Sequence, residues 1–245
     1  LFGQSPAAKS GACNVDVNCP EGDDWRDEIA TVGLVSVEGS LTCTGALVNN
    51  TALDGTPYFL TANHCGISAS RAPSVVVYWN FESPACGQHG GGSLDEFTSG
   101  SALRATWAHT DFTLLELDEA PDTAFGVKYA GWNRAEAPPT AATCIHHPDS
   151  DEKSISFEND AVVPTSYLAT ATPGNGTHLR VIDWDLGTTE PGSSGSPLFD
   201  QDHLVVGQLH GGYAACGNSE SDWYGRLHLS WEGGGTPDTR LSDWL

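Results

Sequence analysis

The strongest constraint on this fold is how the chain breaks up its apolar residues. They fall into short, β-branched runs: "ATVGLVSV" at 30–37, "GALVNN" at 45–50, "YFLTA" at 58–62 and "SVVVYWNF" at 74–81. The pattern continues with "DFTLLEL" at 111–117, "AVVPTSYLAT" at 161–170, "HLRVIDW" at 178–184, "PLFD" at 197–200 and "HLVVGQLHGG" at 203–212. Each reads as a strand. Turn signals such as "LDGTPY", "CGQHGGG" and "TPGNGTH" separate them. Strands so short and numerous predict an all-β sandwich or closed barrels. Only "TPDTRLSDWL" at 236–245 carries a helical period, with Asp238 as candidate N-cap. The segment "RAEAPPTAAT" at 134–143 is the most linker-like.

A chain of 245 residues is long enough for one large domain or two barrels sharing an interface. No apolar run reaches the length of a membrane span. The first residues, "LFGQSPAAKSGACN", lack a basic stretch followed by an apolar one, so a signal peptide is expected to have been removed. The formal charge of −22 argues against nucleic acid as a partner. It permits a cationic substrate, and adaptation to salt explains it equally well. Only three of the ten basic residues are lysine: Lys9, Lys128 and Lys153. Seven cysteines without a C-x-x-C pair disfavour zinc and thioredoxin-type sites and fit an oxidising compartment. Seven is odd, and Cys144 is the candidate free thiol.

Three motifs carry chemistry. "TANHC" sets His64 beside Cys65, "DFTLLEL" opens a buried strand on Asp111, and "EPGSSGSPLF" crowds serines and glycines between two prolines. Alone they read as a surface histidine, a strand-end cap and a solvated turn. Together they run His, Asp, Ser, one of the chain orders that serve serine hydrolases. A serine hydroxyl is a poor nucleophile until an imidazole takes its proton, and a carboxylate must hold that imidazole in one tautomer. Backbone N–H groups must also face the developing oxyanion, at about 3–4 kcal/mol for each donor. The Gly-Ser-Ser-Gly turn can supply hydroxyl and donors together, with Gly192 free to adopt a backbone that a β-carbon resists.

These motifs resemble the histidine, aspartate and serine boxes of chymotrypsin-like serine proteases. The chain is more similar still to bacterial lysyl endopeptidases, through "GACNVDVNCPEGDDWRD", "CTGALVNNT", "YFLTANHCG", "VVVYWN", "SDEKSIS", "TEPGSSGSP", "GQLHGG", "SDWYGR" and "RLSDWL". The resemblance implies two antiparallel six-stranded β-barrels and a short C-terminal helix. Residues 1–120 would hold the N-terminal segment and first barrel with His64 and Asp111. Residues 121–245 would hold the second barrel with Ser194 and the pocket. Carried over, His64 is general base and acid, Asp111 orients it, and Ser194 is the nucleophile by the frame G-x-S-G-x-P. Gly192 and Ser194 supply the oxyanion donors. The residue before the nucleophile is Ser193, not aspartate, so activation is expected to follow removal of a propeptide rather than an N-terminal ion pair there.

The position six residues before the nucleophile, where trypsin-like enzymes carry an acid, is Thr188. By resemblance Asp222 supplies the pocket anion instead; a surface loop acid is the alternative. Leu209, His210 and Gly211 are expected to form the edge that pairs with substrate backbone. His210 stands where trypsin-like enzymes usually carry tryptophan. Its imidazole either tunes His64 or narrows the pocket, or it simply packs in the wall. The adjacent pair His146-His147 cannot easily share one ligand face, so no metal and no cofactor is expected. The resemblance further implies the bridges Cys13–Cys216, Cys19–Cys86 and Cys43–Cys65, each stabilising by roughly 2–4 kcal/mol. The implied protein is a secreted bacterial monomer that cuts protein or peptide substrates after lysine by acyl-enzyme chemistry. The shortage of lysine fits self-protection. Cleavage after arginine as well, or an inactive homologue that only binds, are the alternatives.

Overall fold

The computed structural model describes residues 9–245, without the side chain of Thr42. Residues 1–8, on which the reading of a removed leader partly rests, lie outside it. Strands and helices follow in chain order as β1 (Val15–Asp16), α1 (Arg26–Ile29), β2 (Val32–Val37), β3 (Ser40–Val48), β4 (Tyr58–Ala62), β5 (Val76–Tyr78), β6 (Phe97–Ser99), β7 (Ser101–Trp107) and β8 (Phe112–Leu117). Then come β9 (Ala142–His146), β10 (Ser154–Glu158), β11 (Val163–Thr165), β12 (His178–Val181), β13 (Pro197–Asp200), β14 (Val205–Gly212), β15 (Asp222–Arg226) and α2 (Leu227–Glu232).

The strands form two antiparallel sheets that curl into half-barrels. The first has seven strands, ordered β6-β5-β2-β3-β4-β8-β7, and the second eight, ordered β1-β10-β9-β13-β14-β15-β12-β11. Both counts exceed six because strands of only two or three residues, β1, β6 and β11, extend the edges.

The period of two in each strand explains why the sheets curl and dock. In β3, Cys43 and Leu47 point into the core of the first sheet, while Ala46 and Val48 point to a core shared between the sheets. β8 divides likewise, with Leu115 and Leu117 inward and Phe112 and Leu114 toward the shared core. In the second sheet Leu198 of β13 faces that sheet's own core and Phe199 the shared one. Strands apolar on both faces must be covered on both faces. Each such side chain contributes about 1.5–3 kcal/mol on burial.

The terminal segment differs from the sequence expectation. Residues 236–245 form turns, and the short helix lies earlier, at Leu227–Glu232. Asp238 accepts from the hydroxyl of its neighbour Thr236 instead of capping a helix. Pro237 and the "GGG" before it interrupt helical propensity, and "LHLSWE" buries Leu227 and Ser230. Disulfides join Cys13 to Cys216, Cys19 to Cys86 and Cys43 to Cys65, and Cys144 is a buried free thiol. Burial pushes that thiol up to about 12, so it stays protonated and inert.

Candidate active site

β4 ends at Ala62, and one 3-10 turn, Asn63–Cys65, presents His64. The Cys43–Cys65 bridge ties this turn to β3. Opposite lies Asp111, 2% exposed, just before β8 at φ 58°. Aspartate tolerates this left-handed backbone better than most residues. The corner turns both carboxylate oxygens toward the histidine. Oδ1 accepts the His64 backbone N–H at 2.9 Å, and Oδ2 lies 2.7 Å from His64 Nδ1. A proton on Nδ1 is therefore held by the carboxylate, and Nε2 keeps its lone pair. The second sheet braces the corner. Gln208 donates to the Thr110 carbonyl at 2.7 Å, and Ser230 of α2 donates to the Thr110 hydroxyl at 2.8 Å.

The turn of Ser194 docks on the same end of β4. Thr44 of β3 holds it twice, donating its N–H to the Ser194 carbonyl at 2.8 Å and its hydroxyl to the Gly192 carbonyl at 2.9 Å. Gly192 and Gly195 have φ values of 95° and 84°. A β-carbon at Gly195 would stand 2.3 Å from Thr61 Oγ1 and 2.7 Å from Ala62 N, two residues before His64. Within the turn the N–H groups of Ser193, Gly195 and Ser196 go to the carbonyls of Glu190, Leu209 and Ser193. Among the described residues, the N–H groups of Gly192 and Ser194 have no acceptor. Two free donors flanking a serine hydroxyl suit an oxyanion. Gly195→Ala is expected to destabilise the fold by about 1–3 kcal/mol or more through overpacking and positive φ. A denaturant titration reads this directly.

Residues 7–225 match the family model described as lysyl endopeptidase, C-terminal domain. The chain belongs to this family. It is 30% identical over 226 residues to the lysyl endopeptidase of Pseudomonas aeruginosa, covering 85% of this chain and 47% of that protein. The chain thus spans about half the length of that curated relative. Solved structures with the same fold include a mutant of human heparin binding protein, with TM-score 0.58, 16% identity, and 89% and 90% of the two chains covered. A Glu endopeptidase aligns with TM-score 0.54, 14% identity and 89% and 93% coverage. Kallikrein-related peptidase 10 aligns with TM-score 0.55, 16% identity and 84% and 95% coverage. These likenesses show the chymotrypsin-like fold.

Asp222 opens β15 beside the exposed end of β14 and is 1% exposed. Oδ2 accepts from Trp184 Nε1 at 2.8 Å and from the Thr189 hydroxyl at 2.7 Å. Oδ1 is buried with no hydrogen-bond partner. Burial raises its pKa, while Trp184, Thr189 and the nearby Ala214 backbone N–H oppose the rise. A β-carbon at Gly212 would stand 2.4 Å from Oδ1 and 2.2 Å from the Ser221 carbonyl, so only glycine packs against the carboxylate there. Trp184 and Thr189 carried no sequence signal. Thr189 adjoins Thr188, which is buried and accepts from Ser156 through its carbonyl.

At the expected substrate edge, Leu209 makes backbone contacts of its own. Its N–H goes to Ser196 and its carbonyl to Gly195, and it is 2% exposed, so it anchors the Ser194 turn. His210 and Gly211 follow it along the expected edge. His210 is the extra residue of a bulge between Leu209 and Gly211, which re-aims its side chain. Its ring lies 5.4 Å from that of His64, stacks on Tyr167 at 3.5 Å, and brings Nε2 to 3.8 Å from Asp111 Oδ2. Burial lowers its pKa; Asp111 raises it and His64 lowers it further.

His146 and His147 are fully buried. His146 sits between the hydroxyls of Ser193 and Ser156, and His147 donates Nδ1–H to the Asp151 carbonyl. Burial pushes His146 down to about 3. It is neutral in the fold, whereas an unfolded histidine takes a proton below about 6.5. The unfolded state therefore gains protons first as pH falls, and stability drops from about pH 6.5 toward 3. The denaturant midpoint should fall between pH 7 and 5, and His146→Gln should flatten the decline.

Proposed function

We propose that this domain is a secreted serine endopeptidase that cleaves after lysine through an acyl-enzyme. The carrying observation is the convergence at one end of β4 of the doubly bonded His64–Asp111 pair and the two unclaimed N–H groups around Ser194. His64 Nε2 takes the proton of the Ser194 hydroxyl as Oγ attacks the substrate carbonyl carbon. Negative charge moves to the carbonyl oxygen, where the Gly192 and Ser194 N–H groups receive it. The imidazolium, steadied by Asp111, gives its proton to the leaving amine as the C–N bond breaks. Water then repeats the sequence on the ester and frees Ser194.

Asp222 supports the choice of lysine. Oδ2 already serves Trp184 and Thr189, leaving one oxygen for the incoming side chain. An ammonium is a compact donor that suits a single acceptor, whereas a guanidinium favours two parallel ones. The net charge of −22 draws cationic substrates. Three disulfides fit an extracellular location, and no described helix is long and apolar enough to cross a membrane. Activation by propeptide removal fits the contacts of the Ser193 hydroxyl, which meets His146 and the Glu190 N–H.

The test is a cleavage-site profile on a denatured protein mixture. Cuts should follow lysine almost exclusively. Equal cutting after arginine would show a broader cationic pocket. A folded protein that neither cuts nor gains a sulfonyl fluoride adduct on Ser194 would be a binding module.

A further inference from the structure

The hydrogen bonds behind His210 fix which of its nitrogens carries the proton. Asn175 Oδ1 accepts the Thr177 backbone N–H at 3.1 Å, which identifies that atom as the oxygen. The same oxygen accepts the Thr177 hydroxyl at 2.8 Å, so that hydroxyl has spent its only proton. Thr177 Oγ1 must then accept from His178 Nδ1, 2.9 Å away. His178 is 1% exposed and, among the described residues, pairs with no carboxylate, so it packs as a neutral ring whose Nε2 accepts. His210 Nδ1, 2.9 Å from that Nε2, must donate. A neutral His210 therefore keeps a lone pair on Nε2, 3.8 Å from Asp111 Oδ2. Two acceptors lie near each other with no proton between them.

We infer that His210 Nε2, Asp111 Oδ2 and His64 Nδ1 form a reversible inhibitory site for a divalent transition-metal ion such as Zn²⁺ or Cu²⁺. The three atoms lie within 4.8 Å of one another. Tetrahedral ligands bound at about 2.0–2.2 Å stand about 3.3 Å apart. The present separations of 2.7 Å and 3.8 Å to Oδ2 bracket that value, and the two ring nitrogens, within 4.8 Å of each other, must close by up to about 1.5 Å. His64 is half-exposed and can swing. Two imidazoles and one carboxylate suit zinc, copper or nickel rather than calcium or magnesium. The bond from His210 Nδ1–H to His178 is the outer support that metal-binding histidines usually have. His89 near Asp16 and Glu152 does not compete in kind, since its two carboxylates already accept from Ser83 and backbone N–H groups.

Metal binding requires His64 to change tautomer. The proton leaves Nδ1 for solvent and one is taken up at Nε2, with no net change for a neutral ring. Nε2 can then no longer accept from Ser194, so the ion would silence the proposed proton transfer. The inhibitory effect rests on the proposed function; the binding does not.

Titration calorimetry with Zn²⁺ on the Ser194→Ala chain tests the binding and avoids self-digestion. One ion per chain is expected, and adding His210→Gln should weaken binding at least about tenfold, with His228→Gln as control. Substoichiometric Cu²⁺ on the Ser194→Ala chain should broaden the ring resonances of His64 and His210 without needing a further variant. Active protein should lose proteolysis with Zn²⁺ and regain it with EDTA. No binding at millimolar Zn²⁺, binding unchanged by His210→Gln, or broadening confined to other histidines would overturn the site. Zn²⁺ binding to a chain that never cuts peptides would sink only the protease reading. An active protease that binds no Zn²⁺ would sink only this one.

Discussion

Ser194→Ala should lower kcat on a lysyl peptide by about a millionfold while leaving the fold in place. The loss is so large because the hydroxyl is the only atom that forms the covalent bond. His64 and Asp111 then hold a base with nothing to deprotonate. The turn should survive, because its contacts are made by backbone: the Ser194 carbonyl accepts from Thr44, and Gly195 donates to Leu209. Stability should stay within about 0.5 kcal/mol, as for substitutions that break no contact. Substrate affinity should also persist, since neither the proposed pocket at Asp222 nor the N–H groups of Gly192 and Ser194 depend on Oγ. Residual catalysis of about 10³–10⁴ over water is expected from those donors and from binding. Adding His64→Ala should cost almost nothing more, because the two side chains act as one unit. A variant retaining even a tenth of the wild-type rate would remove Ser194 from the chemistry. Single-turnover kinetics with a chromogenic lysyl ester distinguishes these outcomes.

The strands legible in the sequence were those apolar on both faces. "YFLTA" and "PLFD" match β4 and β13 residue for residue. "DFTLLEL" misses β8 by one, and that one residue matters, because Asp111 is the left-handed corner that aims the carboxylate. β9, β10 and β15 went unseen. In β10 the buried residues include Ser154, Ser156 and Glu158, so burial there leaves no apolar alternation to read. β7, with Arg104 at its bulge, hides for a similar reason. The site divides the same way. His64, Asp111, Ser194 and Asp222 sit in distinctive local contexts. Trp184, Thr189, His178 and Tyr167 act only because separate strands and loops bring them together, and residue type alone says nothing of that. The segment "RAEAPPTAAT" read as a linker, yet its end, Ala142–Thr143, is already β9, where Thr143 pairs with Phe199.

Asp222→Asn should separate what the pocket does for the substrate from what it costs the fold. The variant is isosteric, and its amide oxygen can still accept from Trp184 and Thr189. What disappears is the charge at the unpartnered Oδ1. A lysine side chain would then bury its ammonium against a neutral amide, and such a loss costs about 2–5 kcal/mol. In kcat/KM for lysyl peptides that is a fall of about thirty- to several-thousand-fold, while slow cleavage after uncharged residues should hold or improve. Stability should move the other way. Burial raises the pKa of Asp222 in the fold, so the unfolded chain releases this proton at lower pH than the folded one. The ionised carboxylate therefore opposes folding increasingly as pH rises from its unfolded value of about 3.9 through its higher folded value. Asp222→Asn removes that burden, and the substrate-free domain should melt higher at neutral pH, by about 2–4 °C for each kcal/mol relieved. The gain should vanish below about pH 3.9, where the wild-type acid is neutral in both states. Lysyl cleavage undiminished in this variant would take Asp222 out of the pocket; a lower melting temperature at neutral pH would mean that some unseen donor already satisfies Oδ1.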